Sequence, residues 1–221
     1  MSEFKELIDI NQKHVSESFC ILPWMHLNVQ PNGEVFQCCM APTDRPIGSV
    51  TENTLPEIWN NHSMKDIRRK MFKGIKPKLC QRCYMMEDTG VASPRNTFNK
   101  FFEKDIDKLT RHTDKDTGHN HKFVLKYWDF RWSNICNFKC RMCGTFASSK
   151  WVDDEIALHG HTYGGLKNFR TEAKEDIFKY VDEFMGDVEE IYFAGGEPLM
   201  MDEHYQILEK LIAAGRTNVR L

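Results

Sequence analysis

Three cysteines, Cys136, Cys140 and Cys143, stand in a C-x3-C-x2-C spacing, close enough for their thiolates to converge on one metal centre from a single short loop. On a four-iron cluster, three such ligands leave one iron without a protein donor, and that open iron is a place for chemistry. Four further cysteines offer a second, closed set: Cys20, either Cys38 or Cys39, and the C-x2-C pair Cys80 and Cys83. Adjacent residues of a strand point to opposite faces, so only one of Cys38 and Cys39 is expected to ligate. Four protein ligands suit structure or electron transfer. Zinc is the competing metal, because C-x2-C is shared by both kinds of site and His159 or His161 offers the three-cysteine loop a fourth ligand. The string Gly195-Gly196-Glu197-Pro198 is the third chemical feature. Two glycines let backbone approach a ligand closely, and the carboxylate can pair with a ligand ammonium.

Periodicity supplies the elements that carry these residues. Alternation from Trp24 to Val29, the turn Pro31-Asn32-Gly33 and the return Glu34–Cys38 predict a hairpin with cysteines at its outer ends. A capping pattern at Thr54–Glu57 and a start at Ser63 predict two helices, the second with Ile67, Met71 and Phe72 on one face and Gly74 at its end. Its basic residues Lys65, Arg68, Arg69, Lys70 and Lys73 read as a solvated face. Polar residues 111–121 mark a linker. Phe123–Arg131 reads as a strand leading into the three-cysteine loop, followed by a helix over 148–158. A helix through Ile177–Met185, a strand over Val188–Ala194 and a helix from Asp202 follow, the last with Tyr205, Leu208, Leu211 and Ile212 as its apolar face. Asn218–Leu221 opens a third strand. The expected organisation is therefore a small α+β domain over 1–90, a linker over 91–122, and an α/β domain over 123–221 whose β-α-β-α-β order implies parallel strands.

Composition removes other classes. The 221 residues hold 30 Lys and Arg against 32 Asp and Glu, a net charge of -2 that argues against nucleic acid or an anionic membrane as partner. No apolar run approaches the roughly 20 residues of a span. The acidic start Met-Ser-Glu-Phe-Lys-Glu-Leu has no leader pattern, so a cytoplasmic, reducing location is expected, where clustered cysteines bind metals rather than pair.

The stretch from Asp129 to Cys143, with Cys136-Asn137-Phe138-Lys139-Cys140-Arg141-Met142-Cys143 at its end, resembles the first strand and cluster loop of radical S-adenosylmethionine (radical SAM) enzymes. The resemblance implies a [4Fe-4S] cluster on Cys136, Cys140 and Cys143, with S-adenosylmethionine (SAM) on the fourth iron. It also implies reductive cleavage of SAM to a 5'-deoxyadenosyl radical. Met142 takes the place where the family usually has an aromatic residue near the adenine. Gly195, Gly196, Glu197 and Pro198 resemble the family's motif for the SAM amino group. Cys20, the run from Pro31 to Cys38, Leu55–Trp59 and Cys80-Gln81-Arg82-Cys83 resemble a SPASM or twitch domain, implying an auxiliary [4Fe-4S] cluster on Cys20, Cys38, Cys80 and Cys83 and favouring Cys38 over Cys39. By that likeness a flavodoxin or ferredoxin is the expected electron donor and a peptide or protein the expected substrate. Only three barrel strands fit, so a truncated or split barrel, or one completed by a second chain, is expected. A non-catalytic zinc- or cluster-binding interaction protein is the alternative.

Overall fold

The hairpin forms as β1 (His26–Val29) and β2 (Glu34–Phe36), closed where the Gly33 N–H donates to Gln30 O at 2.9 Å and the Gln30 N–H to Glu34 O at 2.8 Å. Gly33 sits at φ 85°, which the expected Asn-Gly turn requires. This computed structural model describes residues 16–162 and 168–221; the N-terminal segment examined for a leader lies outside the described residues.

Two compact units divide the chain, and they do not follow the expected boundaries. One comprises residues 1–27, 36–47 and 55–124; the other comprises 28–35, 48–54 and 125–221. The tip of the hairpin therefore belongs with the C-terminal half.

In the first unit, helices α1 (Leu55–Trp59) and α2 (His62–Phe72) are joined by three that the sequence reading missed, α3 (Gln81–Asp88), α4 (Pro94–Phe101) and α5 (Ile106–Thr110). The linker expected over 91–122 is thus folded structure. α4 starts at a capping box in which Ser93 and Asn96 satisfy each other's backbone N–H, with Pro94 in the first turn. Buried Asn99 fixes this helix by accepting from Ile21 N at 2.8 Å and donating to Phe19 O at 2.9 Å. α2 starts one residue early because the Asn61 side chain caps it, accepting from Met64 N at 3.0 Å. Trp24, Trp59, Met64, Ile67 and Met71 form the core. Arg68 corrects the expectation of a solvated basic face: it is 0% exposed. Its Nε donates to Pro23 O and its Nη1 to Trp59 O and Asn60 Oδ1, with the guanidinium 4.5 Å from the Trp59 ring centre.

The second unit holds most of a five-stranded open sheet. β3 (Gly48–Ser49) pairs antiparallel with β2, while β4 (Tyr127–Phe130) and β5 (Glu190–Ile191) pair in parallel, Tyr127 opposite Glu190. The order is β3-β2-β1-β4-β5. β4 is therefore an inner strand, buried at all four positions, its one charged residue, Asp129, accepting from Arg131 Nε and Asn28 Nδ2. The strand expected over 188–194 contracts to two residues, and the expected third strand contracts to a parallel bridge between Glu190 and Arg220. α6 (Val152–His159), α7 (Phe178–Phe184) and α8 (Asp202–Ala213) accompany the sheet. α8 turns Ile207 and Leu211 inward and leaves Tyr205 and Ile212 exposed, a rotation of the face expected from the pattern. The fold is mixed α/β, and no helix among the described residues is long and apolar enough to cross a membrane.

Candidate metal centres

Four of the cysteines singled out by their spacing lie in the first unit. Cys20 follows the segment pinned by Asn99, Cys38 lies just past β2, and Cys80 and Cys83 flank the start of α3. Burial pushes the Cys20 thiol up to about 12, and Cys83 adds to the rise. Burial also holds Cys38 well above the ordinary thiol range, followed by the fields of Cys80, Cys20 and Cys39; Cys80 is raised by burial and then by Cys20 and Cys83. The four thiols are thus near enough for one another's charge to matter. Cys38 is buried and Cys39 exposed.

Donors stand near the sulfurs. Backbone N–H groups of Leu22, Met40 and Arg95 favour the thiolate forms of Cys20, Cys38 and Cys83 respectively, and the Ser93 hydroxyl, which donates to Glu87 Oε1, lies beside Cys83. Donors of this kind stabilise thiolate, so the pocket is arranged for anionic sulfur although burial alone keeps the thiols neutral. A bound cation would reconcile the two by drawing the thiols into their anionic form. Buried cysteines with N–H donors to sulfur are a donor set that fits an iron–sulfur cluster. Ser93 and Arg95 come from the segment expected to be a linker. The Ser93-Pro94 pair was the sequence signal, a cap followed by proline in the first turn.

In the second unit the three-cysteine loop hangs from β4. Asn134 is its anchor and was not singled out from sequence: wholly buried, it donates from Nδ2 to Thr145 O at 2.8 Å and accepts at Oδ1 from Phe169 N at 3.0 Å. Its carbonyl accepts from Ser149 N at 2.8 Å. The Phe138 N–H reaches Cys136 Sγ at 3.3 Å, Cys143 N donates to Cys140 O at 3.0 Å, and Trp151 Nε1 donates to the same carbonyl at 3.0 Å. The Cys143 thiol is raised by burial and then by Cys140 and Cys136, so the three are near enough for their charges to matter. Cys136 is buried, Cys143 half-buried and Cys140 exposed.

The Gly-Gly-Glu turn docks on that loop. Gly196 N donates to Ala147 O at 3.1 Å and Glu197 N to Ile135 O at 2.9 Å. Both glycines have positive φ, 82° and 61°, and a Cβ on Gly196 would lie 2.2 Å from Ile135 O, while one on Gly195 would lie 2.6 Å from Arg131 Cβ. The glycines serve the close approach of turn to loop, a cause the sequence reading did not separate from ligand access. The Glu197 carboxylate accepts from Leu199 N at 3.1 Å, capping the short 3-10 helix Pro198–Met200. Met142 is 99% exposed on the loop.

Among the described residues no group of three or more His, Cys, Asp or Glu side chains is closed around a point that would hold a metal ion. Thiolates that each grip a different iron stand further apart than ligands of one ion, which metal–sulfur distances of about 2.3 Å draw together.

A family model described as the iron–sulfur cluster-binding SPASM domain matches residues 20–84, and one described as the radical SAM superfamily matches residues 130–221. Searches of curated proteins and of solved structures return no match. The first model encloses the four-thiol set, and the second encloses the three-cysteine loop with the turn docked on it. The two matches together mark a chain with a radical SAM part and a SPASM iron–sulfur domain, a pairing that implies iron–sulfur clusters and the use of S-adenosylmethionine.

Proposed function

We propose that Cys136, Cys140 and Cys143 hold a [4Fe-4S] cluster that binds SAM, and that Cys20, Cys38, Cys80 and Cys83 hold a second, auxiliary [4Fe-4S] cluster. When bound, the first cluster and SAM supply reductive cleavage to methionine and a 5'-deoxyadenosyl radical that takes a hydrogen atom from substrate. One observation carries the reading: backbone bonds from Gly196 and Glu197 fasten the turn to the loop bearing the three thiols, so a carboxylate and a trio of sulfurs face one neighbourhood at the C-terminal ends of two parallel strands. Ligands of parallel sheets bind at such ends.

The chain's own groups divide the work. Cys136, Cys140 and Cys143 anchor the iron while leaving one side open. Glu197, with Gly195, Gly196 and Pro198 shaping the turn, receives the SAM ammonium, and Met142 offers an apolar surface to the adenine. The exposed Phe138, Met142, Leu199 and Met200 suit a chain-like substrate, so a peptide or protein side chain is the proposed target and the enzyme is placed with maturases. A flavodoxin or ferredoxin supplies the electron in a cytoplasmic setting.

The test is anaerobic incubation of the reconstituted full chain with SAM and dithionite. 5'-Deoxyadenosine and methionine are expected, and Cys136→Ala/Cys140→Ala/Cys143→Ala is expected to abolish both while keeping the auxiliary iron. Fully iron-loaded protein that neither binds nor cleaves SAM would overturn the proposal.

A further inference from the structure

The proposed auxiliary cluster has a charged pair beside it that no cluster ligand explains, and the inference drawn from that pair rests on the auxiliary-cluster reading. The Arg95 side chain is 11% exposed and that of Glu87 is 19% exposed. Arg95 Nε donates to Glu87 Oε1 at 2.9 Å, and Nη2 makes a second, shorter contact with Oε2. Nη1 donates to Glu17 O at 2.9 Å and to Phe19 O at 2.7 Å, the carbonyls leading into Cys20. One side chain thus ties the segment that delivers Cys20 to α3, the helix that carries Cys83. Its guanidinium also lies 5.2 Å from the Tyr84 ring centre.

The two charges stand beside the same ligand segments with opposite sign: Arg95 is held on the carbonyls of Glu17 and Phe19 that lead into Cys20, and Glu87 lies one helical turn past Cys83 on α3. A cluster held by four thiolates is anionic, and reduction by one electron makes it more so. A nearby cation therefore stabilises the reduced form and a nearby anion the oxidised form, most strongly where water is excluded. Glu87, Ser93 and Arg95 all lie past residue 84, where the match to the SPASM model ends.

We infer that Arg95, balanced by Glu87, sets the reduction potential of the auxiliary cluster and clamps the Cys20 segment onto the helix of Cys83. It is a positioning and tuning residue, not a ligand.

The experiment places Arg95→Gln, Glu87→Gln, the double variant and Arg95→Lys in the full-length Cys136→Ala/Cys140→Ala/Cys143→Ala background, so that only the auxiliary cluster remains. Each protein is reconstituted anaerobically with iron and sulfide, then titrated with dithionite through mediators while the signal of the one-electron-reduced cluster is followed by electron paramagnetic resonance. Arg95→Gln should move the midpoint to a more negative potential and Glu87→Gln to a more positive one, with the double variant between them. Arg95→Lys should stay nearer the parent potential yet release iron to a chelator faster, because the charge remains and the fork is lost. Two single variants that shift in the same direction, or do not shift, would reduce Arg95 to a strut and overturn the inference. Should Arg95→Gln fail to hold iron, Glu87→Gln alone decides, and a negative or absent shift there overturns it. Background protein that takes up no iron overturns the auxiliary-cluster reading, and this inference with it.

Discussion

Asn134 shows how a single buried side chain can govern a site it does not enter. Its amide joins the Thr145 carbonyl to the Phe169 N–H across the base of the three-cysteine loop, so Asn134→Ala leaves the buried Thr145 carbonyl unmatched and takes the acceptor from the half-buried Phe169 N–H. That should cost about 1–3 kcal/mol of stability, read from the shift in the urea midpoint. Arg68 plays the same part in the other unit. Burial lowers its pKa to about 9, and Arg68→Ala, which strips Pro23 O and Trp59 O of their donor, should cost on the order of 3 kcal/mol by the same measurement. The cysteines give a pH dependence whose sign follows from burial. Cys20 is raised from 9.0 to about 12, so before iron is loaded the folded state holds a proton that the unfolded chain sheds first. Stability from this group is present below pH 9 and lost between about 9 and 12. Thermal melts of iron-free protein should therefore fall across that window, and loading should be accompanied by proton release, measurable in weakly buffered solution.

At the scale of elements, the site depends on the docking of one strand-to-helix turn against one loop. Gly196→Ala places a Cβ against Ile135 O at a positive φ, whereas a Cβ on Gly215, also at positive φ, meets nothing within 4 Å. The first should cost several-fold more stability than the second, for which about 1–2 kcal/mol of backbone strain is expected. Equal costs in paired denaturation curves would show that the turn can lift off the loop freely. Much of this scale was readable from local pattern. The Gly-Gly-Glu turn follows β5, the cysteines follow β4, and α2 and α8 lie close to their caps and periodicity. α4 and α5 were missed because Arg111–His121 reads as a polar tract and the helices ahead of it are short, although Ser93-Pro94 carried the start signal. α8 was rotated because Tyr205 and Ile212 are apolar in type yet face outward, which residue identity alone does not encode. The reach of Arg95 to Phe19 O, 76 positions apart in sequence, has no local signature at all.

Across the whole molecule, the chain's division into two units does not follow the order in which its motifs appear. Residues 28–35 and 48–54 leave the cysteine-rich first unit and group with residues 125–221, where the β1–β2 hairpin places β1 beside β4. Sequence order suggested two domains in succession with a linker between them, and pairing between distant strands, decided by shared burial rather than local propensity, is what that reading could not contain. The eight cysteines divide five and three, with Cys20, Cys38, Cys39, Cys80 and Cys83 in the first unit and Cys136, Cys140 and Cys143 in the second. The central claim is that these are two independent iron–sulfur centres, one of them open. Iron and zinc analysis of anaerobically reconstituted protein, with and without Cys136→Ala/Cys140→Ala/Cys143→Ala, tests it most directly. About eight irons per chain falling to about four in the variant is the predicted result. Stoichiometric zinc without iron, or an iron content that the variant leaves unchanged, would contradict it.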